Sequence, residues 1–230
     1  MKLYYHPVST ACRPVMLLAA DENIPLDFQM VDIFKGEHMA EPYSAINPNQ
    51  QIPTLEDGDF RMTESSAILK YLAEKAGSAT YPKDLQKRAR INELMDWFNT
   101  GCYRDLGYNL IYAQLFPHHK RGTDEAHAGT VEWGRAKACG WLSTLDKSIL
   151  SPNSKYLTGN DVTIADYFGI AILTVGEVIH LDYKGYPNIA RYIATMKARP
   201  NWEKVNAPFY QYFVGPFKDK QFVGLEKAAA

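Results

Sequence analysis

The chain has 230 residues, of which 46% are hydrophobic, and 25 Lys and Arg nearly balance 26 Asp and Glu. A chain of this length can bury a sizeable core and fits one large domain or two modest ones. A net charge of -1 provides no long-range positive field, so neither nucleic acid nor an anionic membrane is an expected partner.

The opening of the chain is strand-like, and no apolar stretch has membrane length, so a cytoplasmic protein is expected. The three cysteines, Cys12, Cys102 and Cys139, are odd in number and widely spaced, which fits neither a disulfide framework nor a zinc site. His118 and His119 are adjacent and so cannot share one helical face. Reduced thiols and no metal are therefore expected.

The first third of the chain predicts strands alternating with a helix. Residues 2–5 favour a short strand, and a helix is expected over about 10–21, where Pro14 is tolerated in the first turn. The alternating run LDFQMVDI predicts a second strand, and the polar segment after it predicts loop or short helix. Strand, helix and strand over about thirty residues form a βαβ unit with parallel strands.

The next segment predicts a hairpin followed by a helix. Asp57-Gly58 lies between two extended stretches and supplies the positive φ of a tight turn, so antiparallel strands are expected. The run TESSAILKYLAEKAG has a Thr or Ser cap, an apolar stripe and a stop at Gly77, which predicts a complete helix. The order βαβ-ββα predicts an α/β thioredoxin-like domain over residues 1–78.

A change to small and polar residues, with Tyr81-Pro82, predicts a linker over residues 79–86. Beyond it the apolar periodicity is helical. Helices are expected at 87–115, 124–150, about 163–178 and about 187–197. An all-α bundle is therefore expected over residues 87–205, with a C-terminal tail at 206–230 whose aromatic residues lack a clear period.

Ser9 lies where the first predicted strand stops and the first helix begins. The unpaired N–H groups of a helix N-terminus favour an anion and lower the pKa of a nearby thiol. A hydroxyl at this point could donate a hydrogen bond to a bound thiolate. Taken alone, Ser9 could equally be the N-cap of the helix.

Two further features of the same domain point to a ligand. A cis Ile52-Pro53 bond would turn the N–H and C=O of Ile52 outward for a peptide-like partner, whereas a trans proline would simply open a strand. At the next helix start, Ser65 could hold a carboxylate and Glu64 an ammonium, although an ordinary helix start is the alternative. The three features occur in the order that one ligand with an α-amino-acid end would need.

These residues resemble the glutathione transferases, most closely the theta and delta classes and their bacterial relatives. The matching stretches are STACR at 9–13, GEHM at 36–39, NPNQQIPTL at 47–55 and DGDFRMTESSAILKYL at 57–72. In the second domain, DVTIAD at 161–166 resembles the buried capping box of the family, in which Thr163 caps a helix and Asp166 reaches back to its start.

The resemblance implies a glutathione transferase that uses glutathione as co-substrate. By position it implies Ser9 as the catalytic hydroxyl. Thr10 is the second choice, because it stands where some bacterial classes carry a catalytic Cys and other relatives use a Thr. Cys12 should face the core, and a Ser-x-x-Cys arrangement disfavours dithiol exchange.

The resemblance also assigns glutathione to one set of residues: His38, Gln50, Gln51, Ile52, Pro53, Glu64 and Ser65. The main chain of Ile52 would bind the cysteine of glutathione, and Glu64 with Ser65 its γ-glutamyl end. His38, with Gln50 or Gln51, would face the glycyl carboxylate. Because Gln51 is neutral where relatives often carry a cation, the affinity is expected to depend on His38 and its protonation.

A hydrophobic second substrate is expected against the first long helix of the second domain and the tail. The residues expected to line its site are Thr10, Arg104, Tyr108, Tyr112, Phe209 and Phe213. Tyr residues at helical spacing also fit a core or a dimer interface, and this alternative stays open. The resemblance further implies a homodimer and a role in detoxification.

The predicted reaction is attack of the glutathione thiolate on a hydrophobic electrophile, driven by a lowered thiol pKa and by proximity. The alternatives are another glutathione-dependent reaction on the same scaffold (peroxide reduction, reductive dehalogenation or ether cleavage) and a non-enzymatic carrier of apolar ligands. Ser9, Glu64 and Ser65 favour an enzyme, because a carrier need not retain them.

Overall fold

The computed structural model describes residues 1–225, and its first part is a mixed four-stranded sheet with helices. The strands are β1 (Lys2–Tyr5), β2 (Asp27–Met30), β3 (Thr54–Asp57) and β4 (Phe60–Met62). β1 and β2 are parallel, whereas β3 pairs antiparallel with β1 and β4, which gives the order β2-β1-β3-β4. Leu3 and Leu55 pair across β1 and β3 and are fully buried. The predicted thioredoxin-like order is confirmed.

The helices of this part are α1 (Arg13–Asp21), α2 (Tyr43–Ile46) and α3 (Ser65–Lys75), with a short 3-10 turn at Glu37–Met39. α1 begins three residues later than predicted. Because Pro14 has no N–H, it cannot bond the carbonyl of Thr10, and the regular helical ladder starts only beyond this point. The N–H groups of Cys12 and Arg13 instead donate to the carbonyl oxygen of Ser9 at 3.1 and 3.0 Å.

The hairpin and the end of α3 are as predicted, but the start of α3 is not. Asp57 pairs with Phe60 around a turn in which Gly58 has φ +61°, and Gly77 follows α3 with φ +62°. The N-cap position of α3 is held by Glu64, at φ 65°, without a side-chain capping bond. The predicted Thr or Ser cap is wrong, because this left-handed residue redirects the chain from β4 into the helix.

The second part of the chain is mostly helical, which confirms the predicted fold class. Its helices are α4 (Leu85–Asp96), α5 (Ala113–Leu115), α6 (Asp124–Thr144), α7 (Ile164–Thr174), α8 (Pro187–Lys197) and α9 (Trp202–Phe209). α4 begins inside the predicted linker, where the Asp84 side chain accepts from the N–H of Lys87 at 2.9 Å. The stretch Trp97–Tyr112, with π-helical turns, joins α4 to α5. Within residues 1–225, no helix combines the length and apolar character that crossing a bilayer would require.

Helix α9 occupies the point where an irregular tail was predicted. It continues as a helical stretch over Tyr210–Val214, so the predicted boundary at residue 206 cuts a helix. The tail was expected because its aromatic residues lack a clear period, yet α9 forms here and tolerates Pro208 in its interior. The last described residues do lie over the body, since the main chain of Val223 exchanges two hydrogen bonds with Gln114 at 2.7 and 3.1 Å. Residues 226–230 of the predicted tail lie outside the described residues.

Helix α7 forms the centre of the second part, because all of its residues are buried. Its start carries the predicted capping box. Asp166 Oδ2 accepts from the N–H and the hydroxyl of Thr163 at 2.7 and 2.9 Å, and Oδ1 accepts from the N–H of Leu157 at 2.8 Å. The box therefore fixes both the helix start and the segment that precedes it.

Arg13 joins α1 to α7 and α9. Its guanidinium donates to Thr174 Oγ1 at 3.1 Å, to Asn206 Oδ1 at 3.0 Å and to the carbonyl of Ala171 at 3.0 Å. The side chain is 1% exposed and has no carboxylate partner among these contacts. Burial lowers its pKa to about 10, so the guanidinium stays charged at neutral pH.

Candidate functional site

An open cleft of about 1210 Å³ lies between the sheet and the helical rod that runs from α4 into α5. It is lined by all the residues predicted to hold or activate glutathione: Ser9, His38, Gln50, Gln51, Ile52, Pro53, Glu64 and Ser65. Of the residues predicted for the second substrate, the cleft is lined by Thr10, Arg104, Tyr108, Tyr112 and Phe213. The two predicted halves of the site therefore share one space.

Ser9 occupies the turn between β1 and α1, and its side chain is half-buried. Its Oγ accepts a hydrogen bond from the N–H of Cys12 at 3.3 Å. The Cys12 thiol also lies within hydrogen-bonding reach of the Ser9 hydroxyl. A hydroxyl can accept and donate at the same time, so the capping bond does not prevent Ser9 from donating to a group in the cleft. The two interpretations of Ser9, cap and donor, are thus compatible.

Cys12 is fully buried beside this turn. Burial raises the pKa of its thiol to about 12, so the group is protonated at neutral pH. A buried, protonated thiol is neither a nucleophile nor a partner for disulfide exchange. The polar groups available in the cleft at this turn are therefore the hydroxyls of Ser9 and Thr10 and the main-chain N–H groups, and not the thiol of Cys12.

The loop before β3 presents a main-chain edge to the cleft. The Ile52-Pro53 bond is cis, as the sequence allowed, and within residues 1–225 the Ile52 main chain makes no hydrogen bond. The preceding carbonyl, that of Gln51, accepts from Tyr43 Oη at 2.5 Å and from Asn47 Nδ2 at 2.6 Å. Tyr43 and Asn47 thus hold the loop while Ile52 stays available. Sequence reasoning missed both, although the match of NPNQQIPTL contained Asn47.

Glu64 and Ser65 stand at the opposite end of the same part of the cleft. Glu64 is exposed, and its positive φ of 65° is a backbone conformation that costs about 1 to 3 kcal/mol and clusters at functional sites. Ser65 opens α3, so the unpaired N–H groups of that helix begin beside Glu64. One end of the cleft therefore offers a carboxylate next to a helix N-terminus.

His38 and Gln50 close the third side. Gln50 Nε2 donates to the carbonyl of Met39 at 3.3 Å, which ties the loop before β3 to the 3-10 turn that carries His38. The Nδ1 atom of His38 is buried and, within residues 1–225, has no hydrogen-bond partner. A buried ring nitrogen without a partner is rare in folded proteins, and here it belongs to a ring that lines the cleft.

The far half of the cleft is aromatic. Tyr108, Tyr112 and Phe116 follow one another at one helical turn, and the ring of Phe116 stacks on that of Phe213 at 5.8 Å between centroids. Tyr103 adds a further ring against Tyr108 and Tyr112. Sequence reasoning missed Tyr103 and Phe116, and extending the Tyr108–Tyr112 spacing by one more turn would have found Phe116.

Two predicted residues of this half behave differently from expectation. Phe209 does not line the cleft: it is fully buried, and its ring centroid lies 3.7 Å from the guanidinium carbon of Arg13. The Phe209 ring packs against the guanidinium of Arg13 in a cation–π contact. Phe213 lies one turn further along and does line the cleft. Arg104 does line the cleft, but its guanidinium is paired with the buried carboxylate of Asp105 at 2.9 and 3.0 Å.

Comparison with known proteins gives consistent matches along most of the chain. Residues 3–80 match the family model described as glutathione S-transferase, N-terminal domain, and residues 122–200 match glutathione S-transferase, C-terminal domain. Glutathione S-transferase theta-1 of Homo sapiens is 32% identical over 202 residues, which is 86% of this chain and 82% of the human one. The theta-1 protein of Bos taurus is 32% identical over 204 residues, with the same coverage.

Solved structures agree with these matches. Human glutathione transferase theta-2, in complex with glutathione and an unknown ligand, superposes with a TM-score of 0.81 at 28% identity, covering 96% of this chain and 92% of that one. A delta-class glutathione transferase from Nilaparvata lugens gives a TM-score of 0.80 at 30% identity, covering 94% and 98%.

Proposed function

The chain belongs to the glutathione S-transferase family, and from this premise we propose that it transfers the thiolate of glutathione to hydrophobic electrophiles. It is a glutathione transferase, and glutathione is the co-substrate of the family. The observation that carries the proposal is the hydroxyl of Ser9 at the start of α1, lining a cleft whose far wall is aromatic.

In this proposal glutathione binds as an extended peptide along the first domain. The Ile52 main chain, without a partner in the protein, pairs with the cysteine residue of glutathione as a short added strand. Glu64 binds the ammonium of the γ-glutamyl end, and the Ser65 hydroxyl with the first N–H groups of α3 binds its carboxylate. These contacts place the sulfur at the start of α1.

Ionisation of the thiol is then assigned to Ser9. Its hydroxyl donates to the sulfur and stabilises the thiolate more than the thiol, because hydrogen bonds to a charged acceptor are the stronger ones. The main-chain N–H groups at the start of α1 add positive potential. The thiolate attacks an electrophile held against the rings of Tyr108 and Phe213, and proximity supplies much of the rate.

The most direct test combines binding and turnover. Glutathione soaked into crystals should occupy the cleft beside Ser9, and the purified protein should conjugate an aryl halide. If glutathione bound but neither an aryl halide nor an organic hydroperoxide were turned over, a carrier of apolar ligands would be the better interpretation. The homodimer and the cytoplasmic location remain predictions, and light scattering would test the first.

The His38→Ala variant is expected to bind glutathione about threefold to tenfold more weakly, because the glycyl carboxylate loses a hydrogen-bond donor. Calorimetric titration of both proteins with glutathione measures the difference in affinity.

His127→Ala is the matched control for this prediction. The Nδ1 atom of His127 is likewise buried without a partner within residues 1–225, but His127 lies on α6 and does not line the cleft. Its affinity should follow the wild-type curve. Coincident curves for His38→Ala and wild type would remove His38 from the glutathione site.

A further inference from the structure

The chain passes from β1 to Ser9 through a tight turn that begins at His6. The N–H of Ser9 donates to the carbonyl oxygen of His6 at 3.0 Å. Pro7 occupies the second position of this turn, where its fixed φ favours a β-turn. The geometry of the turn therefore sets where the Ser9 hydroxyl stands relative to the start of α1.

The side chain of His6 reinforces this turn. Its Nδ1 accepts a hydrogen bond from the N–H of Val8, two residues further along, at 3.4 Å. Asn and Asp side chains make the same contact in Asx turns, so the His6 ring takes the role of such a side chain. Val8 is buried, and a buried N–H that loses its acceptor is destabilising. The ring nitrogen thus stabilises the backbone directly before Ser9.

This hydrogen bond requires a neutral His6 ring, because only an unprotonated Nδ1 can accept. The side chain is 8% exposed. Burial lowers its pKa, against the opposing effect of the Asp32 carboxylate. His6 is therefore a hydrogen-bond acceptor at neutral pH.

The same ring contacts the loop that leads to His38. The ring centroids of His6 and Phe34 lie 5.2 Å apart, and the two rings are nearly perpendicular, at 89°. This T-shaped arrangement is favourable for an aromatic pair. Phe34 itself lines the cleft, on the same loop as His38. One buried ring therefore contacts both the turn before α1 and the loop at the other side of the site.

Hydrogen bonds within this loop make it one folded unit. Asp32 Oδ1 accepts from the N–H groups of Phe34 and Lys35 at 3.0 and 3.2 Å. Glu37 Oε2 accepts from the N–H of Asp32 at 2.7 Å. The position of Phe34 is thus tied to that of the 3-10 turn, and the contact with His6 connects this unit to the turn before α1.

We propose that His6 is a positioning residue that couples the two sides of the glutathione site: its Nδ1 fixes the turn that presents the Ser9 hydroxyl, and its ring holds the loop that presents His38. The inference rests on the function proposed above, which assigns the thiolate to Ser9 and the glycyl carboxylate to His38. Within residues 1–225 His6 is not among the residues that line the cleft, so it acts through its neighbours.

The two contacts of His6 use different properties of the side chain, so substitutions can separate them. His6→Phe keeps a ring for Phe34 and removes the nitrogen that accepts from Val8. The Ser9 hydroxyl should then be held less firmly, so kcat/KM with 1-chloro-2,4-dinitrobenzene should fall about tenfold. The pKa of bound glutathione, measured by the ultraviolet absorbance of the thiolate, should rise by about 1. Binding of S-methylglutathione, which has no thiol proton to lose, should stay within about twofold of wild type.

His6→Asn makes the opposite change. Asn can accept from the N–H of Val8 in an Asx turn, but it has no ring to contact Phe34. The pKa of bound glutathione should therefore equal that of wild type. The Kd of S-methylglutathione should increase about threefold to tenfold, because the loop that carries His38 is held less often in its binding geometry.

His180→Asn is the matched control, because it makes the same substitution at a residue that does not line the cleft. His180 has φ 65°, a conformation that Asn tolerates. Its thiol pKa and its Kd for S-methylglutathione should both equal those of wild type. Thermal unfolding of each variant shows whether it is folded.

The outcomes separate this inference from the proposed function. Wild type that fails to ionise bound glutathione would overturn the proposed function itself. Wild type that ionises the thiol, with folded His6→Phe ionising it equally well, would overturn only the role of His6. The prediction for His6→Asn also stands by itself if His6→Phe does not fold. A raised thiol pKa in His6→Asn, or unchanged binding of S-methylglutathione, would overturn the coupling.

Discussion

Replacing Ser9 with Ala is expected to lower kcat/KM with an aryl halide by about a hundredfold or more. The bound thiolate loses the side-chain donor that Ser9 brings to the start of α1 beside Cys12. The remaining N–H groups of the turn still offer positive potential, so residual activity should survive. Titration of bound glutathione by its ultraviolet absorbance would show the cause, because the thiol pKa should rise toward the ordinary thiol value of about 8.5.

The control for this experiment must separate the donor from the helix cap. Ser9 Oγ also accepts from the N–H of Cys12, and loss of a cap costs about 1 kcal/mol. Ser9→Thr keeps both the donor and the acceptor and should retain most of the rate, whereas thermal unfolding of Ser9→Ala measures the lost cap. A fully active Ser9→Ala variant, with Thr10→Val inactive toward every substrate, would make Thr10 the catalytic hydroxyl.

Replacing Asp166 with Ala is expected to lower the free energy of unfolding by about 3 to 5 kcal/mol. Burial raises the pKa of Asp166 to about 6, so at pH 7 it is a carboxylate that only accepts hydrogen bonds. It accepts from the N–H groups of Thr163 and Leu157 at 2.7 and 2.8 Å, and both lose their partner in the variant. Urea unfolding followed by circular dichroism measures the loss.

Asp161→Ala is the matched control, because Asp161 lies five residues earlier in the chain and is exposed. Its unfolding free energy should stay within about 0.5 kcal/mol of wild type. Asp166→Asn should also be destabilised, because its amide group would face the N–H of Thr163 with a donor. Equal stabilities for Asp161→Ala and Asp166→Ala would show that the capping box does not support the fold.

Features that depend on neighbours in sequence were predictable, and those that depend on long-range packing were not. The turn at Gly58 and the stop at Gly77 follow from local backbone chemistry, whereas the sequence left both the cis and the trans form of the bond before Pro53 open. The resemblance then added the grouping of Ser9, Ile52 and Glu64, which the structure places around one cleft.

The misses share a physical reason. Phe209 was expected in the cleft, but Arg13, distant in sequence, places a buried charge beneath its ring. Pro208 predicts a break, yet packing keeps α9 helical through it. The hydrogen-bonded hydroxyls that extend from Tyr103 to Thr10 belong to residues of different domains. No local sequence pattern predicts a hydrogen bond between side chains so far apart in sequence.

The burial of Arg13 has a consequence for how the protein unfolds. Arg13 belongs to the first part of the chain, which contains the sheet, but within residues 1–225 all of its hydrogen-bond acceptors belong to the helical part. Separating the two parts would leave the Arg13 guanidinium without its hydrogen-bond acceptors on one side and those acceptors without their donor on the other. Breaking such a buried charged network is energetically unfavourable. The two parts of the chain are therefore expected to unfold in one cooperative transition. The first part alone is expected to be unstable when it is produced without the helical part.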